Sequence, residues 1–424
     1  MRRTGLIIGL CLWLGLGTAF PAAAARGEKV CWVATWASSQ QIPEPRNALP
    51  PEDLTDATLR QIVRTTIGGN AIRIRVSNLF GTAPLRVQSV QVARSTNPAS
   101  SAIDPASRRE VSFAGNRSIT IPAGAEYLSD PVDLAVPALT HLAISLYLPE
   151  APAQQTSHPG SRATSYFVHG DHSGDADLPG AKTIDHWYQL TRIDVPAGPG
   201  TAALVTIGDS ITDGSGTKPN TDTRWPDYLV RRLQADPRTR SLAVLNHGMG
   251  GNRVLLDGLG PNLLARFERD VLMQPGVRFF ILLEGVNDLG TLTRDAPVGE
   301  AEHQALVANI IAAYRQMVAR ARERGVMAIG ATILPYGGSA YYHPDARNEA
   351  DRQAINSWIR APGNFDSVID FDAAMRDPAD PTRMRAEYDS SDGLHPSIVG
   401  YEAMAKLVPA SLFTGASKRK GCPG

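Results

Sequence analysis

The pattern of apolar and polar residues divides the chain near its middle. Up to residue 193, short runs that alternate apolar and polar residues recur between Gly, Asn or Pro, at 72–77, 85–88, 90–92 and 142–148. Such alternation is typical of strands with one buried face. Gly68-Gly69-Asn70 follows a further apolar run and predicts a hairpin turn. Without a convincing helical period, these runs predict an antiparallel β-sandwich, similar to a jelly roll, over residues 26–199.

The period changes after residue 200, beyond a Pro- and Gly-rich connection. Apolar runs now alternate with helical patterns, and the runs are 204–207, 242–245, 277–283, 326–333 and 368–371. This alternation is typical of a doubly wound parallel α/β sheet, so residues 200–424 are predicted to form a second domain. Helical patterns begin at Trp225 and cover about 302–324, where Leu306, Ile310, Ala313 and Met317 share one face.

The first 25 residues have the order of a secretory signal peptide. Arg2 and Arg3 precede a short apolar run that ends in four alanines, Ala22 to Ala25. A membrane anchor is the alternative, but the run is short for a spanning helix. We therefore expect export to the periplasm or the medium, with no stable membrane anchor after cleavage.

Export changes how the cysteines are interpreted. Cleavage would remove Cys11 and leave Cys31 and Cys422 near the two ends of the mature chain. An oxidising compartment permits a disulfide between them, and two unrelated thiols are the alternative.

Composition excludes some partners. The 424 residues contain 42 Lys+Arg and 42 Asp+Glu, so the formal net charge of zero does not favour nucleic acid or an anionic membrane. Asp171, His172, Asp175 and Asp177 could hold a cation, but their spacing matches no metal-binding loop and a solvated loop is expected. Neither a metal nor an organic cofactor is expected, and the oligomeric state stays open.

Four polar clusters follow the predicted strands or lie near the chain's end. The first is Gly208-Asp209-Ser210, directly after a buried strand, at the sheet edge where ligands bind in open α/β folds. The others are the glycine-rich segment 246–253, the segment 284–288 with Asn287, and Asp392-Gly393-Leu394-His395. We expect Asp392 and His395 to lie on one side of a helical turn, where the carboxylate can orient the imidazole.

In this order the clusters resemble the four sequence blocks of the SGNH hydrolase superfamily, also called GDSL esterases. The resemblance covers about 204–407 and implies a flavodoxin-like α/β fold. It implies a nucleophile at Ser210, oxyanion donors at Ser210, Gly251 and Asn287, and an acid and a base at Asp392 and His395. Gly250 is the alternative to Gly251, since Asn252 stands where many relatives have aspartate. The β-rich region lies outside the superfamily core.

The chemistry also follows from the residue types. A serine hydroxyl becomes nucleophilic when a histidine accepts its proton and a carboxylate orients that histidine. The Gly-x-Ser-x-Gly motif of α/β-hydrolases and the His-Glu-x-x-His metal motif do not occur in the sequence. A serine esterase is therefore predicted, and a non-catalytic carbohydrate-binding protein on the same fold is the alternative.

The substrate is predicted less directly. The resemblance allows short acyl esters on carbohydrate, aryl esters and lipids, and export together with the β-rich region favours acetyl or other short esters on carbohydrate. The insertion 335–343 contains Tyr336, Tyr341 and Tyr342. Tyrosines stack on sugars but also pack loops, so these three either line the substrate cleft or stabilise the insertion.

Overall fold

The computed structural model describes residues 30–414. The strands before residue 200 are β1 (Trp32–Ala37), β2 (Ala57–Arg64), β3 (Arg73–Ser77), β4 (Leu85–Val87), β5 (Ser89–Arg94), β6 (Arg109–Glu110), β7 (Ile119–Ile121), β8 (Glu126–Leu128), β9 (His141–Leu148), β10 (Ser157–His158), β11 (Ser165–His169), β12 (Lys182–Ile184), β13 (Trp187–Tyr188) and β14 (Leu190–Pro196). Short helices in this part are α1 (Pro51–Leu54) and a 3₁₀ turn, Pro105–Ser107.

After residue 200, strands and helices alternate. The strands are β15 (Ala202–Gly208), β16 (Leu242–Gly248), β17 (Val277–Leu283), β18 (Met327–Ala331) and β19 (Ser367–Ile369). The helices are α2 (Ser210–Asp213), α3 (Trp225–Ala235), α4 (Leu263–Phe267), α5 (Val286–Thr293), α6 (Glu300–Glu323), α7 (Ala346–Arg360), α8 (Phe371–Met375) and α9 (Ile398–Leu407), with a π-helical turn at Glu268–Leu272 and a 3₁₀ turn at Ala410–Phe413.

The β-rich part consists of antiparallel sheets, as predicted. One has the strand order β1-β14-β3-β8 and a larger one has the order β12-β11-β2-β9-β5-β6, with two-stranded pairs β10-β13 and β4-β7. The alternation in β3 has the expected effect, since Ile74 and Val76 are buried. Apolar residues of both large sheets belong to one core. Strands β2, β5 and β14 are buried on both faces, unlike β4, which alternates, so burial of apolar residues between and around the sheets stabilises this part.

The predicted hairpin at Gly68-Gly69-Asn70 is wrong. Strand β2 pairs with β9 and β11, whereas β3 pairs with β14 and β8, so the glycines carry the chain from one sheet to the other. Gly69 pairs with Val136, and a Cβ on Gly68 would lie 2.5 Å from the Val136 carbonyl oxygen. The two glycines thus permit a close backbone approach, which the sequence alone does not distinguish from a tight turn.

The second part contains a parallel sheet of order β16-β15-β17-β18-β19. Strand β15 is buried along its whole length, as its branched apolar residues predict. Its neighbours β16 and β17 lie on opposite sides of it, so the strand order reverses at β15. Ligands of doubly wound folds bind outside the carboxyl ends of the strands at such a reversal, and Ser210 follows β15 there.

Amphipathic helices cover this sheet. Helix α6 buries Ile310, Ala313 and Met317, as the sequence predicts, while Leu306 is only partly buried. Strand β17 has the predicted bounds, and β19 ends before Phe371 because Asp370 caps α8 there.

Residues 31–414 form one compact unit, in which β1 packs against β16. The predicted domain boundary between residues 199 and 200 stays a prediction. Within residues 30–414, no helix is long and apolar enough to cross a membrane. The predicted signal peptide and Cys422 lie outside the described residues, so export and the Cys31–Cys422 bridge also stay predictions.

Candidate active site

Ser210 begins a short helix immediately after the central strand. The Asp209 carboxylate accepts the N–H of Ile211 at 2.8 Å and so caps α2. A Cβ on Gly208 would lie 2.3 Å from the Leu283 carbonyl oxygen, so only glycine fits at this strand end. The first N–H groups of a helix have no intrahelical acceptor, which leaves the Ser210 N–H suited to an oxyanion.

The structure brings the predicted nucleophile, base and acid into one hydrogen-bonded chain. Ser210 Oγ lies 2.8 Å from His395 Nε2, and His395 Nδ1 lies 2.6 Å from Asp392 Oδ2. Because a carboxylate only accepts hydrogen bonds, Nδ1 carries the hydrogen and Nε2 of the neutral ring can accept the serine proton. The Asp392 side chain is 48% exposed and that of His395 16%, so the site opens to solvent.

The segment that carries Asp392 and His395 is an irregular bend, and the predicted helical turn is wrong. Oδ1 of Asp392 accepts the backbone N–H groups of Leu394 and His395, at 2.9 and 2.8 Å. Partial burial acts to raise the pKa of Asp392, but the bonds from the His395 ring and these N–H groups outweigh it and lower the pKa. The carboxylate thus shapes the bend and orients the base.

The glycine-rich loop after β16 distinguishes the two candidate glycines. The Gly250 N–H donates to Asp213 Oδ2 at 3.2 Å, whereas within residues 30–414 the Gly251 N–H makes no hydrogen bond. Gly251 has a φ of +70°, and a Cβ there would lie 2.4 Å from Leu259. The geometry therefore favours Gly251, the residue selected from the sequence, as the donor to an oxyanion.

Asn287 is the second residue of α5, just beyond β17, as predicted. Its Nδ2 donates to the carbonyl oxygen of Asn252 at 2.7 Å, and its Oδ1 accepts the hydroxyl of Tyr342 at 2.6 Å. The first contact joins the amide to the glycine-rich loop. Nδ2 carries two hydrogens, so one remains for a substrate oxygen.

Two of the three predicted tyrosines are too buried to offer their rings for stacking. Tyr336 and Tyr342 are only 1% and 3% exposed and pack edge to face, with ring centroids 6.3 Å apart. For Tyr336 and Tyr342, burial fits the alternative role in packing the insertion and not the stacking role. For Tyr341 the role in the cleft stays a prediction. Tyr341 is 59% exposed, and its hydroxyl accepts a hydrogen bond from Arg294 at 3.0 Å.

Comparison with known proteins gives the family. Residues 206–403 match the GDSL-like lipase/acylhydrolase family, which spans every predicted site residue from Ser210 to His395. This segment of the chain therefore belongs to the SGNH hydrolase superfamily, as its four sequence blocks predict. No match was found among curated proteins.

The solved structures that are similar to this chain cover about half of it. A catalytic mutant of Axe2, an acetylxylan esterase from Geobacillus stearothermophilus, is 25% identical over 50% of this chain and 92% of its own, with a TM-score of 0.38. A GDSL-like lipase from Bacteroides thetaiotaomicron is 19% identical over 49% of this chain and 85% of its own, with a TM-score of 0.36. LAE5, an alpha/beta hydrolase from the metagenome of Lake Arreo, is 22% identical over 52% of this chain and 100% of its own, with a TM-score of 0.36.

The sequence analysis did not identify Arg266. This arginine is 1% exposed and makes hydrogen bonds to residues around the candidate site. Its guanidinium donates to the carbonyl oxygen of Gly208 at 3.0 Å, to Asn252 Oδ1 at 2.9 Å and to Asp270 at 3.1 Å. It also donates to Ser39 Oγ, at 2.9 Å. One buried side chain thus links the nucleophile strand, the glycine-rich loop and the β-rich part. The spacing of Arg266 and Asp270 on a helix was the available signal.

Three buried carboxyl groups lie around the same strand ends. Burial raises the pKa of Asp209 to about 7 and that of Asp288 to about 6. Burial also raises the pKa of Glu284 well above its usual value, and nearby Asp209 adds to the effect. Asp288 accepts the N–H groups of Val254 and Leu255, so it supports the glycine-rich loop.

A cleft of about 180 Å³ adjoins this loop. Gly250 and Asp213 form one side of it, and polar residues of the β-rich part, Gln41, Glu44, Arg46 and Arg162, line the other. The β-rich part of the hydrolase therefore shapes the surface beside the glycine-rich loop.

The acidic cluster at 171–177 forms local hydrogen bonds. His172 Nδ1 lies 2.7 Å from Asp175 Oδ2, and Asp171 accepts the hydroxyl of Ser173 at 2.6 Å. Over residues 30–414, no group of three or more His, Cys, Asp or Glu side chains is arranged to hold a metal ion.

Proposed function

We propose that the protein is an exported serine esterase that removes acetyl or other short acyl groups from carbohydrate. The match of residues 206–403 to a lipase and acylhydrolase family supports hydrolysis of esters. The observation that carries the serine mechanism is the 2.8 Å contact between Ser210 Oγ and His395 Nε2, with Asp392 behind the histidine.

Acylation begins when His395 Nε2 takes the proton of Ser210 as Oγ attacks the ester carbonyl carbon. The carbonyl oxygen becomes negatively charged and is stabilised by the N–H groups of Ser210 and Gly251 and by the amide of Asn287. The tetrahedral intermediate collapses as the imidazolium protonates the departing alcohol, which leaves an acyl group on Ser210.

Deacylation repeats these steps with water. His395 removes a proton from the water as its oxygen attacks the acyl carbon, and the same donors stabilise the second oxyanion. The intermediate collapses, Ser210 recovers its proton from the imidazolium, and the acid is released. Asp392 stabilises the imidazolium in both halves of the reaction.

Polarity near the site supports a hydrophilic substrate. Glu44, Arg46 and Arg162 line the cleft beside Gly250, and the Asp392 side chain is half exposed. Such a surface suits a hydroxyl-rich alcohol part better than an acyl chain, whose burial requires apolar area. Lipid or aryl esters are the second candidate substrates.

The binding-protein alternative is disfavoured by the hydrogen-bonded triad. Binding carbohydrate requires no serine, histidine and aspartate in line, whereas nucleophilic catalysis requires all three. Export is proposed on the signal-like order of residues 1–25 alone.

The experiment compares purified mature protein on p-nitrophenyl esters of two to sixteen carbons, and on acetylated and deacetylated xylan. We expect the highest kcat/KM for acetate or propionate, and release of acetate only from acetylated xylan. Maximal activity on long chains would overturn the short-acyl assignment. Activity on the aryl esters without acetate release from xylan would overturn the carbohydrate assignment.

A further inference from the structure

The side-chain amide of Asn287 is held at both of its ends. Nδ2 donates to the carbonyl oxygen of Asn252 at 2.7 Å, and Oδ1 accepts the Tyr342 hydroxyl at 2.6 Å. Asn287 and Tyr342 are each 3% exposed, so water does not substitute readily for either partner. The amide plane is therefore fixed by two buried contacts from different parts of the chain.

The Tyr342 ring is itself fixed by packing. It lies against α5 at Gly290, where a Cβ would come within 2.3 to 2.5 Å of three ring atoms. The Tyr341 ring packs against it edge to face, with centroids 4.7 Å apart. Burial raises the pKa of Tyr342, so its hydroxyl stays protonated and able to donate at neutral pH. The insertion 335–343 thus places one hydrogen-bond donor, the Tyr342 hydroxyl, in a fixed position against Asn287.

We infer that Tyr342 is a positioning residue for the oxyanion site, because its hydroxyl keeps the Asn287 amide turned with Nδ2 toward the substrate oxygen. This inference rests on the proposed esterase function. In the observed orientation the amide nitrogen faces an acceptor, the Asn252 carbonyl oxygen, and the amide oxygen faces a donor, the Tyr342 hydroxyl. In the flipped orientation Oδ1 would face the Asn252 carbonyl oxygen, and two acceptors repel each other.

The Tyr342 contact also affects donor strength. A hydrogen bond accepted by an amide oxygen polarises the amide and strengthens the hydrogen bonds that its nitrogen donates. One Nδ2 hydrogen goes to Asn252 and the other remains for the oxyanion. Loss of the Tyr342 hydroxyl would therefore weaken a donor that acts in the transition state, although Tyr342 itself does not touch the substrate.

The test is Tyr342→Phe, which keeps the ring and removes only the hydroxyl. Removing a whole oxyanion donor lowers kcat about 100- to 1,000-fold, so loss of its positioning should lower kcat by roughly 10-fold or more, with KM changing less. The matched control is Tyr188→Phe. Tyr188 is fully buried and its hydroxyl also donates at 2.6 Å, but to the backbone carbonyl of Asn47 in the β-rich part. The control should lower the melting temperature comparably and leave kcat unchanged.

A double-mutant cycle separates positioning from general stability. In an Asn287→Ala background, Tyr342→Phe should cause little further loss of kcat, because the amide it orients is gone. Fluorophosphonate labelling of Ser210 should persist in each variant and show that the fold is intact. Unchanged kcat in Tyr342→Phe, or losses that multiply in the double variant, would overturn the inference. Ser210→Ala, assayed in parallel, tests the proposed function separately, since its failure to abolish activity would refute the serine mechanism whatever Tyr342 does.

Discussion

The imidazole of His158 lies 2.9 Å from the carboxylate of Asp213, three residues beyond the candidate nucleophile. The other ring nitrogen lies 2.8 Å from the carbonyl oxygen of Ser39. Asp213 uses its second oxygen to accept the Gly250 N–H. His158 of the β-rich part therefore positions the Asp213 carboxylate, which in turn binds the glycine-rich loop. Both parts of the chain thus contribute to the candidate site.

His158→Ala should destabilise the protein strongly. The His158 and Asp213 side chains are 3% and 2% exposed, so the substitution removes the imidazole from a buried carboxylate and leaves it, within residues 30–414, only the Gly250 N–H. Breaking such a pair costs about 3–5 kcal/mol, which urea unfolding should measure. The control, His169→Ala, removes an exposed ring and should cost less than about 0.5 kcal/mol. Equal small losses for both variants would contradict a structural role for the pair.

Glu284→Gln should stabilise the protein more at pH 8 than at pH 4.5. Burial raises the pKa of Glu284, and neither of its carboxylate oxygens has a hydrogen-bond partner within residues 30–414. Between the unfolded and folded pKa values the folded state holds a proton that the unfolded state has lost. The free energy of unfolding of the parent protein therefore decreases as pH rises through this range. Glutamine does not titrate, so the variant lacks this decrease.

The prediction is tested by measuring the melting temperatures of the parent protein and of Glu284→Gln at several pH values. Glu323→Gln is the control, because Glu323 is exposed at the end of α6. The difference between Glu284→Gln and the parent should grow with pH, while that for Glu323→Gln should stay constant. A difference that does not vary with pH would show that Glu284 is not protonated in the folded state.

The predicted bridge between Cys31 and Cys422 should be detectable chemically. It would close a loop of nearly the whole mature chain, for which chain entropy gives roughly 4–5 kcal/mol of stabilisation before strain. Protein purified from an oxidising compartment should show no reactive thiol under denaturing, non-reducing conditions, and two after reduction. Two reactive thiols before reduction would rule out the bridge.

The sequence predicts those features that depend on local pattern. The parallel strands are largely apolar runs, and Ser210 and Asn287 lie two and four residues beyond the ends of β15 and β17. The fold therefore places both residues at the same edge of the sheet. The prediction of a hairpin at Gly68-Gly69 was wrong because glycine permits both a tight turn and a close approach between two backbone segments. Which occurs depends on Val136, far along the chain.

Tertiary contacts explain the other differences. The sequence around Tyr342 does not show whether its ring is exposed for stacking or buried with its hydroxyl donating a hydrogen bond. The ring is buried because Gly290, which is distant in sequence, leaves space for it. His158 and Arg266 likewise act through partners distant in sequence. The bend at Asp392 was predicted as a helical turn because the spacing to His395 suits both, whereas the carboxylate's bonds to the backbone select the bend.

The most direct test of the central claim is to locate the nucleophile. The mature protein and Ser210→Ala are each treated with a fluorophosphonate, the labelled residue is mapped by mass spectrometry, and p-nitrophenyl acetate hydrolysis is measured on the same samples. The account predicts one label on Ser210 with loss of activity, and neither label nor hydrolysis above background in Ser210→Ala. Substantial hydrolysis by pure Ser210→Ala, or inactivating label on another residue, would contradict it.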